Sequence, residues 1–391
     1  MTYFHIFKKL FNSLIMVFSS GFLFISGCDS GSVDANILVY DLKSDSYKFD
    51  VVQIDTINDL DKLEGEVTSL MGGTAMTLNY VDLYISWQRV GRPVAFGYSK
   101  SDSVIYPEDF NSLAMISTYY NIENTTLFFE NIGMKQGLIG HLETYYQPEI
   151  IEVYLNPITQ KIEKSKGVDN AFYLSISKED RAFYVLPFRD IKTLPLSMNL
   201  GVITHEYTHS VFDILVYDKM DSNVVGTSDS SVNYLSALNE GFADIMAVAN
   251  TGDPDYMTHS LADTSGARDA SDLILYKKSF DMNAMFNTGI YFDPYEIGSF
   301  VSSIFYGLEM KIDNINEGSN QVPSKNTREI VAGEVYKTIV ALGKTNPVYF
   351  KISAFFNLFI DTVNPQYKTY FCNILRERYD EDKFDTEIEG C

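Results

Sequence analysis

The pattern of apolar and polar positions divides the chain into a strand-rich first part and a helical second part. Short runs of β-branched and aromatic residues, separated by polar turns, indicate strands. These runs fall at residues 37–40, 51–54, 84–87, 151–155 and 182–186. One helix is predicted in this part, over 110–133, where Asp109 or Asn111 can cap the start and apolar residues recur at helical spacing.

Helical periodicity dominates after residue 216. Apolar residues recur at intervals of three and four over 297–312, 327–342 and 350–363. Residues 238–247 show the periodicity of a buried helix. Residues 217–233, between the two parts, are rich in Ser, Asp and Gly, which predicts a loop.

The stretch His205-Glu206-Tyr207-Thr208-His209 lies within an apolar run and has the spacing of a zinc site. Residues four apart share one face of a helix, so both imidazoles can bind one zinc ion. Glu206 follows the first ligand and can take a proton from water on the metal. The alternative is a helix that carries two histidines by accident, expected in roughly one such sequence in a few hundred.

The third ligand is predicted in the second apolar helix. Phe212 and Leu215 occupy the positions where metzincins have Gly and His, which excludes that family. Glu240 and Asp244 lie four apart on one face of the helix predicted over 238–247. We expect Glu240 to bind zinc and Asp244 to accept the outer N–H of a ligating histidine. The alternative is a solvated acidic stripe, which the apolar neighbours disfavour.

Residues 202–213, followed by 239–244, resemble the gluzincin metalloendopeptidases, and the thermolysin-like and fungalysin-like enzymes are nearest. The resemblance is clear over 170–308. It implies an α+β, thermolysin-like two-domain zincin, with a β-rich N-terminal domain, a mainly helical C-terminal domain and zinc in the cleft. It also implies zinc-dependent hydrolysis of peptide bonds in proteins or peptides. Structural Ca²⁺ is familiar among the thermolysin-like enzymes, but no calcium ligands can be mapped in this chain.

The resemblance further implies two substrate-binding residues and one catalytic residue. Asn170 and Ala171 match the edge strand on which gluzincins bind peptide, although a plain strand is the alternative. Tyr295 stands where the related enzymes have an oxyanion-stabilising His, and its phenol O–H can donate in the same way. If Tyr295 is only a packed aromatic, the protein is instead a weakly active or inactive surface binding protein or adhesin.

Composition and the amino terminus bear on partners and location. The net charge of −22 makes nucleic-acid binding improbable. Lys8 and Lys9 precede an apolar stretch over 10–24, which predicts a signal peptide. Ile25-Ser26-Gly27-Cys28 resembles a bacterial lipobox, which implies a lipid on Cys28 and a bacterial envelope protein attached to the membrane outside the cytoplasm. An ordinary signal peptide or a single membrane anchor is the alternative.

The predicted organisation is therefore a signal peptide over 1–27, a tether over 28–36, a β-rich part with the zinc helix over 37–215 and a helical part over 216–391. Cys372 and Cys391 are the two cysteines left after lipidation, and we expect a disulfide between them. Two free thiols are the alternative. His141 is interpreted as structural and His259 as a surface residue.

Overall fold

A computed structural model of the chain describes residues 32–82, 84–156, 159–178, 180–188, 193–220, 229–261, 268–286, 292–316, 322–345 and 350–391. The predicted signal peptide and Cys28 lie outside the described residues, as do residues 28–31 of the predicted tether. Residues 33–36 of that tether belong to the first strand.

The β-rich part precedes the zinc motif. Its strands are β1 (Val33–Asp41), β2 (Ser46–Ile54), β3 (Ile57–Asp59), β4 (Glu64–Gly65), β5 (Thr68–Gly72), β6 (Ala75–Asn79), β7 (Tyr84–Arg89), β8 (Arg92–Pro93), β9 (Tyr98–Ser101), β10 (Val104–Pro107), β11 (Leu142–Tyr146), β12 (Glu149–Leu155), β13 (Ile162–Lys166), β14 (Ala171–Ser175) and β15 (Arg181–Val185). The strands β1, β2, β7, β12 and β15 correspond to the apolar runs of the sequence. The apolar pattern does not predict shorter or more polar strands, such as β3, β8 and β13, because they bury few side chains.

These strands form three sheets. One has the order β2-β1-β10-β9, and another has the order β13-β12-β6-β7. The third has the order β14-β15-β11-β5-β4-β3, with β8 also paired to β5. Within the described residues β14 pairs only with β15, so its other edge faces away from the sheet and towards the zinc motif.

The remaining elements are mostly helical. They are α1 (Phe110–Asn131), α2 (Leu200–Phe212), α3 (Asp229–Thr251), α4 (Lys278–Phe286), α5 (Tyr295–Asn316), α6 (Lys325–Thr345), α7 (Ile352–Thr362), α8 (Pro365–Arg378) and α9 (Glu381–Glu387). Asp109 caps α1, as expected, by accepting a hydrogen bond from the Ser112 backbone N–H at 2.7 Å. The expected α+β arrangement, β-rich first and mainly helical afterwards, is confirmed.

The loop predicted over 217–233 extends too far at its carboxyl end, and its residues 221–228 lie outside the described residues. After α2 the chain continues as a π-helical turn, Asp213–Tyr217, and α3 already begins at Asp229. The Ser- and Asp-rich start of α3 hides its helical character, because these residues also favour turns. Tertiary packing decides the outcome: Leu235 and Leu238, farther along α3, are buried in the main core.

Two close approaches between elements place the zinc motif. Gly241 on α3 faces Gly298 on α5, and a Cβ at Gly241 would lie 2.8 Å from the Gly298 carbonyl oxygen. The two helices therefore cross with their backbones nearly in contact, which brings the start of α5 beside Glu240. Gly201 on α2 lies against the ring of Tyr256, where a Cβ would meet ring carbon at 2.4 Å.

At the carboxyl end a disulfide joins Cys372 on α8 to Cys391, with the two Cα atoms 5.4 Å apart. Cys372 is buried in the helical core. The bridge fixes the final segment, including α9, to that core, and the free-thiol alternative does not describe this structure. None of the helices in the described part of the chain is long and apolar enough to span a membrane.

Candidate active site

The helices α2 and α3 bring three potential metal ligands together. Asn199 caps α2 by accepting hydrogen bonds from the Gly201 and Val202 N–H groups, and the helix then presents both histidines on one face. The Nε2 atoms of His205 and His209 lie 3.2 Å apart. Glu240 Oε2 lies 3.3 Å from His205 Nε2 and 3.9 Å from His209 Nε2.

This arrangement fits a zinc ion. Ligand atoms about 2.0–2.1 Å from a tetrahedral zinc lie about 3.4 Å from one another, close to the separations observed. Burial alone lowers the pKa of His205, but hydrogen bonds to Asp244 and Glu240 outweigh burial and raise it to about 9. Such a site favours a cation. The donor set of two imidazoles and one carboxylate is one that zinc accepts.

The outer nitrogens of both histidines have acceptors. Asp244 Oδ1 lies 3.0 Å from His205 Nδ1, as the sequence predicted. Tyr256 donates its O–H to the same carboxylate oxygen at 2.9 Å, and its own oxygen lies 3.1 Å from His205 Nδ1. Asn239 Oδ1 lies 3.0 Å from His209 Nδ1. Both Nδ1 atoms therefore carry the proton and both Nε2 atoms face the metal position.

Glu206 shares the cleft with these ligands and is held by the edge strand. It is buried, and its Oε2 accepts a hydrogen bond from the Tyr173 backbone N–H of β14 at 3.0 Å. Burial raises the pKa of Glu206, while the neighbouring histidines lower it. The contact fixes one carboxylate oxygen against β14.

Tyr173 itself is fixed by a partly buried ion-pair network. Its hydroxyl donates to Asp213 Oδ2 at 3.0 Å, and the same oxygen accepts from Arg181 Nε at 3.0 Å. Arg181 also pairs with Asp218. These contacts tie β14 and β15 to the end of α2, so the distance between the edge strand and Glu206 is set by packing on both sides.

The predicted substrate-binding residues lie in the same cleft. Asn170 and Ala171 both line it, and Asn170 Oδ1 accepts the Ala171 backbone N–H at 2.9 Å. The cleft has a volume of about 800 Å³. Its walls come from β6, β12, β14, α2, α3 and the start of α5, so the strand-rich part and the helical part both contribute to it.

Tyr295 is the first residue of α5 and also lines the cleft. The residue is 42% exposed, and the guanidinium carbon of Arg268 lies 4.4 Å from the ring centroid. The charge of Glu240, with burial, raises the pKa of Tyr295, so the phenol keeps its proton at working pH. A neutral O–H donor is therefore present where the start of α5 lines the cleft.

Arg268 is a site residue that sequence reasoning missed. Its Nη1 lies 3.3 Å from Glu240 Oε2 and its Nη2 lies 3.4 Å from Asp244 Oδ1. Nothing in the local sequence marks this arginine. Tyr256 and Asn239 were missed for the same reason, although Asn239 directly precedes the predicted ligand Glu240.

The other described histidines lie outside the cleft. His141 is exposed, with Nδ1 3.4 Å from the Glu66 carbonyl oxygen. His259 lies among Asp45, Asp253 and two tyrosine rings. His259 is thus part of a contact between distant segments, and it is only partly exposed rather than a free surface residue.

Comparisons with known proteins give a similarity to solved structures but no match to a family model or a curated protein. No protein-family model matches the sequence, and a search of curated proteins finds no match. Among solved structures, the chain is similar to the precursor of protealysin, a metalloproteinase from Serratia proteamaculans. The identity is 12%, the match covers 78% of this chain and 87% of that chain, and the TM-score is 0.45.

Proposed function

We propose that this protein is a zinc-dependent metalloendopeptidase that hydrolyses peptide bonds in proteins or peptides. The position of Glu206 carries the proposal. Its carboxylate lies in the same cleft as three converging ligand atoms and is held by the edge strand β14. A free strand edge offers backbone groups with which an extended peptide can pair.

His205, His209 and Glu240 would hold the zinc. When bound, zinc supplies Lewis-acid polarisation of water and of the scissile carbonyl. The tautomers fixed by Asp244, Tyr256 and Asn239 orient both imidazoles for this role.

The chain's own residues supply the proton transfers and the substrate contacts. Glu206 takes the proton of the attacking water and passes it to the nitrogen of the leaving amine. Asn170 and Ala171, at the start of β14, hold the peptide backbone beside Glu206. Tyr295 donates its O–H to the oxygen that becomes negative when the carbonyl is attacked.

Glu206→Gln tests this proposal. The variant should keep zinc, because Glu206 is not a ligand, and lose about 10²–10⁴-fold in kcat for lack of a base. Glu381→Gln, exposed on α9, is the matched control and should cleave like the parent. Zinc content and peptide cleavage are measured together, and cleavage by Glu206→Gln at the parental rate would exclude this mechanism.

One observation favours a second function, that of a surface binding protein or adhesin. The Tyr295 ring lies under the Arg268 guanidinium, as a packed aromatic would. Incubation with a mixed peptide library, read by mass spectrometry, separates the two functions. A parent protein with full zinc that cleaves no peptide supports the binding function.

We also propose that a lipid on Cys28 attaches the protein to a bacterial membrane on the side away from the cytoplasm, on the strength of the Ile25-Ser26-Gly27-Cys28 run. Cys28→Ser should abolish labelling by a fatty-acid analogue in growing cells. Equal labelling of parent and variant contradicts the proposal. Membrane fractionation of the same cells checks that the protein itself is made in both.

A further inference from the structure

One face of the sheet β13-β12-β6-β7 is apolar in the core and carries polar side chains where it lines the cleft. Side chains two apart on a strand share a face, and β6 and β12 pair in parallel with Met76 opposite Ile150 and Leu78 opposite Glu152. Met76 and Ile150 are fully buried in the core. Further along the same face come Tyr80 and Tyr154, and these two residues line the cleft together with Leu78 and Glu152.

Glu152 breaks the apolar pattern of this face. Its Oε2 accepts a hydrogen bond from the Ser165 hydroxyl at 3.1 Å, which is a neutral partner. Lys164 and Lys166 on the neighbouring β13 pair with Val153 and Ile151, so their side chains leave the strand on the opposite face, although Lys166 lines a second pocket together with Glu152. Within the described part of the chain no Lys, Arg or His forms an ion pair with Glu152.

The two tyrosines flank this carboxylate. The Tyr80 backbone N–H donates to the Val153 carbonyl oxygen at 2.8 Å, so Tyr80 lies beside β12 next to Glu152. Burial and the charge of Glu152 together raise the pKa of Tyr80 to about 12. Tyrosine rings attract cations through their faces. Among the described residues no Lys or Arg lies over Tyr80 or Tyr154.

Most other charged side chains around the cleft are also acidic. Asp169, Asp293 and Glu296 line it, and Glu296 pairs with Lys277 at 3.0 Å. Arg268 is the cation among the described lining residues, and its two terminal nitrogens lie against Glu240 and Asp244. A cleft lined by one sign of charge concentrates ligands of the opposite sign.

We propose that Glu152, with Tyr80 and Tyr154, forms a subsite that binds a Lys or Arg side chain of the peptide substrate. The proposal rests on the proposed peptidase function. Glu152 and Asn170 both line the cleft, and both also line a second pocket, so a peptide paired with β14 passes this sheet and can place a side chain against it. Basic peptides are therefore the preferred substrate class.

A matched set of fluorogenic peptides tests the subsite in the zinc-loaded full chain. One position at a time carries Lys, norleucine or Glu, and the substituted position is moved through four residues on each side of the scissile bond. At one position the parent should favour Lys over norleucine by about 10–100-fold in kcat/KM, the usual range for a charge-assisted hydrogen bond. Glu152→Gln should bring this ratio close to one, and Glu152→Lys should reverse it in favour of Glu.

Glu163→Gln is the control, because Glu163 lies on β13 of the same sheet and is not among the residues that line the cleft. It should keep the parental Lys preference. Added salt should reduce the preference in the parent, since exposed charge pairs are screened. A parent that cleaves Lys and norleucine peptides equally at every position, or a Glu152→Gln variant that keeps the preference, overturns the proposal.

Direct binding separates this proposal from the peptidase proposal. The Lys and norleucine peptides, labelled for fluorescence polarisation, are titrated into Glu206→Gln and into the double variant Glu206→Gln/Glu152→Gln. Tighter binding of the Lys peptide to the single variant alone supports the subsite even if the parent cleaves nothing. Equal binding of both peptides by both variants contradicts the subsite even if the parent is an active peptidase.

Discussion

Two clusters in this molecule combine imidazole with carboxylates, and they differ in almost every other respect. The cleft cluster consists of His205, His209 and Glu240, and all three are buried. The hairpin cluster consists of Asp45, Asp253 and His259, and the Asp45 side chain is 77% exposed. Both bring three possible ligand atoms within 4.8 Å of one another.

The neighbours of each cluster explain the difference. In the cleft cluster both outer imidazole nitrogens have acceptors, so both inner nitrogens point at one position. In the hairpin cluster His259 Nε2 lies 2.9 Å from Asp253 Oδ2 and 3.7 Å from Asp45 Oδ1. The Tyr40 and Tyr47 rings lie beside His259.

The hairpin cluster is thus an ordinary hydrogen-bonded contact that ties the β1–β2 turn to the segment after α3. Residue types alone do not make a catalytic metal site. The imidazoles must also be oriented by second partners, in a place that a substrate can reach. We expect four measurements to separate the two clusters, and the first should give the largest effect.

Zinc binding should distinguish the cleft cluster from the hairpin cluster most clearly. Glu240→Ala removes one of three ligands and should weaken zinc binding by well over the 10–100-fold that loss of an outer partner costs. Asp253→Ala changes the hairpin cluster in the same way and should leave one zinc per chain. Chelator titration with metal analysis checks both variants, and unchanged zinc affinity in Glu240→Ala removes Glu240 from the ligand set.

Loss of the Tyr295 hydroxyl should give the next largest effect. Tyr295→Phe keeps the ring that stacks with Arg268 and removes only the donor. We expect kcat to fall by about 10²–10³ with zinc fully bound, as for loss of one oxyanion donor elsewhere. Tyr40→Phe is the matched change beside the hairpin cluster, because it removes the hydroxyl that donates to Asp45. This variant should keep the parental kcat. If kcat in Tyr295→Phe stays within twofold of the parent, another group stabilises the oxyanion.

The outer partner of His205 should matter less than a ligand. Asp244→Asn keeps the shape of the side chain but replaces the carboxylate that accepts from His205 Nδ1. Zinc affinity or activity should fall by about 10–100-fold. Asp253→Asn is the matched change beside His259, and we expect it to alter neither quantity. If both substitutions lower zinc affinity and activity equally, Asp244 stabilises the fold as a whole rather than orienting His205.

The sequence predicts the cleft cluster well because helical spacing fixes it. Residues four apart share a face within one helix, so the pairs His205/His209 on α2 and Glu240/Asp244 on α3 follow once the helices are recognised. The packing of α3 against α2, which brings Glu240 to the histidines, is a tertiary contact. Asp109 as the cap of α1 followed from the same local chemistry.

Contacts made by tertiary packing could not be predicted in this way. Tyr256 reaches His205 from a 3₁₀ helix over Tyr256–His259, and Arg268 reaches Glu240 from a segment without any periodic pattern. The crossing at Gly241 and Gly298 depends on two helices far apart in sequence. Asp45 joins Asp253 and His259 only because the β1–β2 turn packs there, so no sequence spacing relates them.

Removal of His259 should have the smallest effect, and it should lower stability rather than zinc binding or activity. His259→Ala removes the partner of Asp253 Oδ2, while Asp253 Oδ1 keeps the Asp255 backbone N–H, and we expect a cost of about 1–3 kcal/mol in the free energy of unfolding. Urea denaturation of the zinc-loaded protein measures that cost.

His141→Ala is the control, because His141 is exposed and makes only a long contact at 3.4 Å. Zinc content and peptide cleavage should match the parent in both variants, since neither side chain lines the cleft. A loss of zinc or a tenfold fall in activity in His259→Ala would instead mean that the hairpin cluster supports the cleft through Tyr256, and the two clusters would then act as one unit.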